Sequence, residues 1–157
     1  MKAIAICLAL LAVFGIMAVP FLFGPTDDQM IRDALKESIK ASREGRPGGV
    51  MEYLSNSLKY NDEEATDRTS IADYIKRAKP EVSVDDPTPR ISGESAMVVS
   101  PVTVNLTYGP VSFPVRIEHA EITFAKETGR RFLVLPAPVW RIRSIKADEV
   151  DVSQLMK

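Results

Sequence analysis

Hydrophobic positions in this chain follow three successive patterns: a nearly continuous run, then helical spacing, then alternation. The run is "AIAICLALLAVFGIMAVPFLF", from Ala3 to Phe23, and it holds no charged residue. A transmembrane helix needs roughly 20 such residues, whereas the apolar core of a signal peptide spans about 7 to 15. Lys2 precedes the run, and Asp27 and Asp28 follow it. That asymmetry predicts a single-pass anchor with the N-terminus inside and the domain outside. The alternative is a secreted or periplasmic product after signal cleavage. Ala18 and Pro20 would end a shorter core, although no small-x-small cleavage site lies downstream. The expected organisation is an anchor or signal segment at 1–25, one domain at 26–150 and a tail at 151–157.

Helical spacing begins almost at once. Thr26 and Gln29 form a capping-box pattern, and Asp27 and Asp28 place negative charge on the positive end of a helix. Only Gly24 and Pro25 separate this helix from the apolar run, so the domain is expected close against the membrane surface. Ile31, Ala34, Leu35 and Ile39 define its apolar stripe from about 27 to 44, and Gly45 and Pro47 stop it. Val50, Met51, Leu54 and Leu58 predict a second, shorter helix. After the polar break "DEEATDR", Ile71, Tyr74, Ile75 and Ala78 predict a third near 68–79, ended by Pro80.

Beyond Pro80 the period is two. Val82 and Val84 alternate with polar residues ahead of the turn-rich "DDPTPR". Val102, Val104 and Leu106 share one face of a longer strand, in which Pro101 implies an edge or a bulge. Gly109 and Pro110 mark a turn. "VRIEHAEITFA" then reads as a strand leading through a "KETG" hairpin loop into "RRFLVL", and Val139 to about Lys146 closes the sheet. The expected fold class is α+β: about three helices on a strongly curved antiparallel meander. On the closing strand Trp140 and Ile142 are assigned to packing, and Arg141 and Arg143 to the wetter face.

Composition narrows the function classes. The net charge is −1 and aromatic residues make up 7%, which disfavours nucleic acid as a partner. Cys7 is the sole cysteine and His119 the sole histidine, so neither a disulfide nor the usual zinc ligand set is available within the chain. No cofactor is expected.

The long first helix, "VMEYLSNSLKY", "IADYIKRAKP" running straight into a strand, and the closing "VWRIRSIK" together resemble the nuclear transport factor two-like superfamily of cystatin-like cone folds. The resemblance spans about residues 27–150 and rests on the order of elements. It implies a curved sheet wrapped around helices to form a conical pocket, and leaves open a homodimer paired through the sheet. No single function follows, because such folds serve enzymes and non-catalytic modules alike.

Candidate chemistry is sparse. His119 shares a strand face with Ile117, Glu121 and Thr123 by simple alternation, so Glu121 is placed to orient it as a general base. Burial argues the other way, since the Ala120, Ile122 and Phe124 row suits a core far better. Tyr53, Tyr60 and Tyr74 stand on or beside helices expected to line a cone mouth. The isomerase-type members of the resembled superfamily pair such a tyrosine with an aspartate, a role open here to Asp62 or Asp73. The expected function is a membrane-tethered, extracytoplasmic, non-catalytic module held by residues 3–23 that binds a small apolar ligand or a partner protein. The alternative is an isomerase or cyclase using His119, Glu121 and Tyr53.

Overall fold

The computed structural model describes residues 24–64, 67–108, 111–131 and 135–148. The apolar run at 3–23, Cys7, the turn at Gly109 and Pro110, and the tail at 151–157 lie outside the described residues. Among the described residues, no helix is long and apolar enough to cross a membrane.

Helix α1 spans Asp27–Arg43. Its capping box is complete: Thr26 Oγ1 accepts from the Gln29 amide at 3.3 Å, and Gln29 Oε1 accepts from the Thr26 amide at 3.1 Å. Ile31, Ala34, Leu35, Ser38, Ala41 and Ser42 form its buried stripe. Gly45 ends the helix at a φ of +67°, a left-handed conformation that suits glycine. Helix α2 covers only Pro47–Met51, and α3 covers Arg68–Ala78. The Asp67 carboxylate caps α3 by accepting from the Thr69 and Ser70 amides, each at 3.0 Å.

The strands are β1 (Leu54–Tyr60), β2 (Glu63–Glu64), β3 (Glu81–Val84), β4 (Arg90–Ser92), β5 (Ser95–Tyr108), β6 (Val111–Arg131) and β7 (Leu135–Ala147). They pair in the order β2-β1-β7-β6-β5-β3, with β4 added alongside β5. Three expectations are corrected here. Leu54 and Leu58 belong to a strand, not to a second helix, because β1 pairs in parallel with β7, Leu54 lying opposite Ile142. The sheet is therefore mixed and not an antiparallel meander. "KETG" is not a hairpin loop either: β6 runs unbroken to Arg131, with Gly129 opposite Ala137. A Cβ at Gly129 would lie 2.6 Å from a Val139 methyl, so glycine there permits a close approach, not a turn.

Irregular pairing bends the sheet. Ser100 faces Ala120 while Val102 faces Ile117, so β6 carries one more residue than β5 beside Pro101. This bulge reverses the alternation of β6. Ile117 lies opposite buried Val102, while Ala120, Ile122 and Phe124 continue the inner row, so Ile117 and His119 do not share a face as simple alternation predicts. A further register shift separates Thr123 from Phe124, and another separates Leu54 from Lys59 on β1.

The core lies between α1 and the concave side of this sheet. Ile31, Leu35, Ile75, Val98, Phe124 and Trp140 belong to it, with Trp140 only 2% exposed. The first turn of α1 is fastened to the sheet by Asp27. Its carboxylate accepts from Trp140 Nε1 at 2.9 Å and from Lys126 Nζ at 3.0 Å. The ammonium also lies 5.5 Å from the Trp140 ring centroid. Hydrogen bonds from Trp140 and then Lys126 hold the Asp27 carboxyl below its ordinary pKa.

A depressed carboxylate contributes stability that is complete above its unfolded value, near pH 4, and that is lost as pH falls through the folded value. Asp27→Asn is therefore expected to narrow the stability difference between pH 7 and pH 3. Paired denaturant titrations at the two pH values check this. An unchanged difference would mean that Asp27 carries no acid sensitivity.

Candidate functional site

Apolar side chains from both helical and sheet layers line an open-mouthed cavity of about 480 Å³. Its floor is formed by Leu35 of α1, Val50 of α2, Leu54 and Leu58 of β1, Ile122 of β6 and Ile142 of β7, all buried. Half-buried Ile39, Ile71, Val82, Val84 and Ile145 complete the wall. Each element supplies part of one apolar stripe or one strand face, α3 contributing Ile71.

Polar groups at the cavity are few and mostly committed. Ser38 Oγ donates to the Leu35 carbonyl at 2.8 Å. Ser42 Oγ donates to the Pro80 carbonyl at 2.9 Å and so ties the end of α1 to the start of β3. Both hydroxyl protons are used, leaving only oxygen lone pairs toward the cavity. The two ionisable residues that line it, Lys59 and Tyr60, are exposed at its rim. Such a lining can exclude water and hold hydrocarbon. It contains no acid–base pair.

The sequence candidates for catalysis lie outside this cavity, with Tyr53 apart from His119 and Glu121. The His119 side chain is 80% exposed on the outer side of β6, with Nδ1 3.7 Å from Asp148 Oδ2. Glu121 lies on the same strand opposite Lys146 of β7. Tyr53 opens instead on a cleft of about 290 Å³ between α1 and β7, lined by Pro25, Met30, Asp33, Glu52 and Trp140. Burial, followed by the negative charges of Glu52, Glu37 and Asp33, raises the Tyr53 pKa. A tyrosine so surrounded keeps its proton, and an oxyanion placed beside it would meet like charge. Tyr74 and Asp73 are exposed on α3, while exposed Asp62 pairs with Lys146 at 3.0 Å. Among the described residues, no cluster has the composition of a metal site. His119→Ala is expected to change stability by no more than about 0.5 kcal/mol, the usual range for surface positions. A denaturant titration showing a larger loss would give the Asp148 contact a structural role.

Arg141 faces away from the core, as expected, but it is engaged. Its Nη1 donates to Glu127 at 3.0 Å and its Nε to the Glu52 carbonyl at 3.0 Å. Glu127 also accepts from buried Ser55 at 2.6 Å. Burial pushes the Glu127 pKa up, but the Ser55 and Arg141 hydrogen bonds outweigh it and leave the group below its ordinary value. This network joins β1 to β6 and β7. The arginine is thus structural, and Arg143 stays exposed.

No family model and no curated protein matches the chain by sequence. Solved structures do match its fold. An NTF2-like protein of unknown function in nutrient uptake from Rhodospirillum rubrum aligns with a TM-score of 0.59 at 13% identity, covering 76% of this chain and 98% of its own. A putative Ca/calmodulin-dependent kinase II association domain from Exiguobacterium sibiricum gives 0.60 at 13% identity, covering 82% and 98%. The CaMKII hub of S. rosetta gives 0.59 at 12% identity, covering 80% and 98%. The chain has the NTF2-like fold. In an NTF2-like cone the apolar cavity described above is the interior between sheet and helices. Sequence reasoning anticipated the cone but not its lining. Leu58, Val82, Ile122 and Ile145 signal only ordinary burial, and nothing in their spacing marks them as neighbours across a cavity.

Proposed function

We propose that this chain is a membrane-tethered, extracytoplasmic, non-catalytic module whose NTF2-like cone holds one small apolar ligand. The observation that carries this reading is the cavity lining, apolar throughout except for two committed serines and an exposed rim. Acid–base catalysis is disfavoured because His119 and Glu121 point away from the cavity and Tyr53 opens on a different cleft. Tethering draws on the uncharged stretch from Ala3 to Phe23 and the charges that flank it.

The binding test uses the full-length chain in amphipol with the neutral probe Nile red. Saturable binding at one probe per chain is expected, and Ile39→Trp, which fills the cavity, should abolish it. Non-saturable uptake that ignores Ile39→Trp would refute the reading. For topology, protease added to spheroplasts should digest the domain, and protection until lysis would reverse the orientation.

A second reading is self-association. It draws on the hub and association-domain neighbours and on Val99, which is 44% exposed on the outer side of β5. Sedimentation equilibrium tests it. A dimer weakened by Val99→Glu supports the reading, and a concentration-independent monomer refutes it.

A further inference from the structure

We infer that the ligand is a single-chain anionic amphiphile of the long-chain carboxylate class, with its tail in the cone and its head at Lys59. This rests on the cavity reading above and adds the polarity and orientation of the occupant.

Three observations converge. First, the cavity is polarised along its depth: its buried floor is hydrocarbon, and its two ionisable residues stand together at the exposed rim, at the end of β1. Second, the interior lacks a free side-chain donor, because Ser38 and Ser42 spend their protons on the Leu35 and Pro80 carbonyls. A ligand carrying a carbonyl or carboxylate at its deep end would bury an acceptor without a partner and lose the hydrogen bonds it makes in water. The inserted end must therefore be hydrocarbon, and any acceptor must stay at the mouth. Third, Lys59 offers an unspent charge there. Glu64 lies opposite it in register, yet Lys59 forms no ion pair among the described residues. By contrast, Lys146 on neighbouring β7 is already paired with Asp62.

Lys59 is the cationic side chain among the lining residues and favours an anionic head there. Glu63 and Glu64, which lie opposite Tyr60 and Lys59, moderate that preference. The hydrocarbon wall favours a weakly functionalised tail. A volume of about 480 Å³ matches one hydrocarbon chain. Lys59 is solvent-exposed, so its attraction is modest: an exposed pair contributes up to about 1 kcal/mol, equivalent to roughly fivefold in affinity.

The test compares tritiated dodecanoate, dodecanol and dodecyltrimethylammonium by equilibrium dialysis against the full-length chain in amphipol, with amphipol alone as the blank. Dodecanoate is expected to bind at one per chain, about threefold to fivefold tighter than dodecanol. The cationic amphiphile should bind more weakly than either. Lys59→Glu replaces attraction with repulsion and should weaken dodecanoate about tenfold while leaving dodecanol unchanged. Lys59→Arg should retain the preference.

Equal binding of all three, insensitive to Lys59→Glu, would overturn the head-group assignment and leave the apolar cavity standing. Failure of every amphiphile to bind, with Nile red also failing, would overturn the cavity reading itself. Loss of dodecanol binding together with dodecanoate in Lys59→Glu would assign Lys59 a structural role and overturn the orientation.

Discussion

Replacing Trp140 with alanine is expected to destabilise the fold by about 3 to 5 kcal/mol, the range for removing a large aromatic side chain from a packed interior. Two losses combine at this position. The indole is 2% exposed within the cluster that includes Ile31, Leu35 and Phe124, so its removal leaves a cavity beneath α1. The same substitution removes the donor that Asp27 accepts from, leaving Lys126 as the remaining side-chain partner of that carboxylate. Trp140→Phe separates the terms. It keeps most of the ring volume and deletes the Nε1 donor, so it should cost about 1.5 to 3 kcal/mol, the range for a hydrogen bond to a charged group. Urea titrations of the three proteins measure both effects. Near-identical midpoints for Trp140→Ala and the parent would contradict the burial of β7.

Phe124→Ala is expected to be about as costly, at roughly 3 to 5 kcal/mol. Phe124 has no exposed surface and stands opposite Ala96 on β5 and Ile142 on β7, at the centre of the concave face. Its strand neighbour Thr123 points to the other side and supplies an internal control. Thr123→Ala should stay within about 0.5 kcal/mol. The contrast between adjacent positions tests the alternation of β6 directly. Comparable losses at both would mean that this stretch does not present one buried and one open face.

How far the sequence discloses this architecture depends on whether a signal is local. Helix α1 is legible because its determinants are neighbours in the chain: Thr26 and Gln29 cap it, and Ile31, Ala34 and Leu35 set its stripe. Pro101 likewise announces the irregularity beside it. Leu54 and Leu58 mislead because a spacing of four fits one helix face and one strand face equally well. The parallel pairing with Ile142 decides between them, and that partner lies at the far end of the sequence. Gly129 misleads for a related reason, since a glycine that admits Val139 looks locally like one that makes a turn. The cavity is the least legible feature. Its lining is drawn from α1, α2, α3, β1, β3, β6 and β7, and each contribution alone is an unremarkable apolar residue. His119 shows the converse: the Ala120, Ile122 and Phe124 row disclosed its exposed placement before any geometry was available.

The fastening of Asp27 to Trp140 and Lys126 governs how the domain bears mechanical load. Tension applied through the chain ahead of Gly24 reaches the first helical residue and passes there into β6 and β7. Those two strands share the longest run of paired residues after β5 and β6, and they answer as a block. The opening turn of α1 is thus braced against peeling residue by residue. Yielding there requires the carboxylate to lose two hydrogen bonds, one from Trp140 and one from Lys126. Pulling from the amino end therefore loads the Asp27 clasp before it loads the apolar stripe of α1.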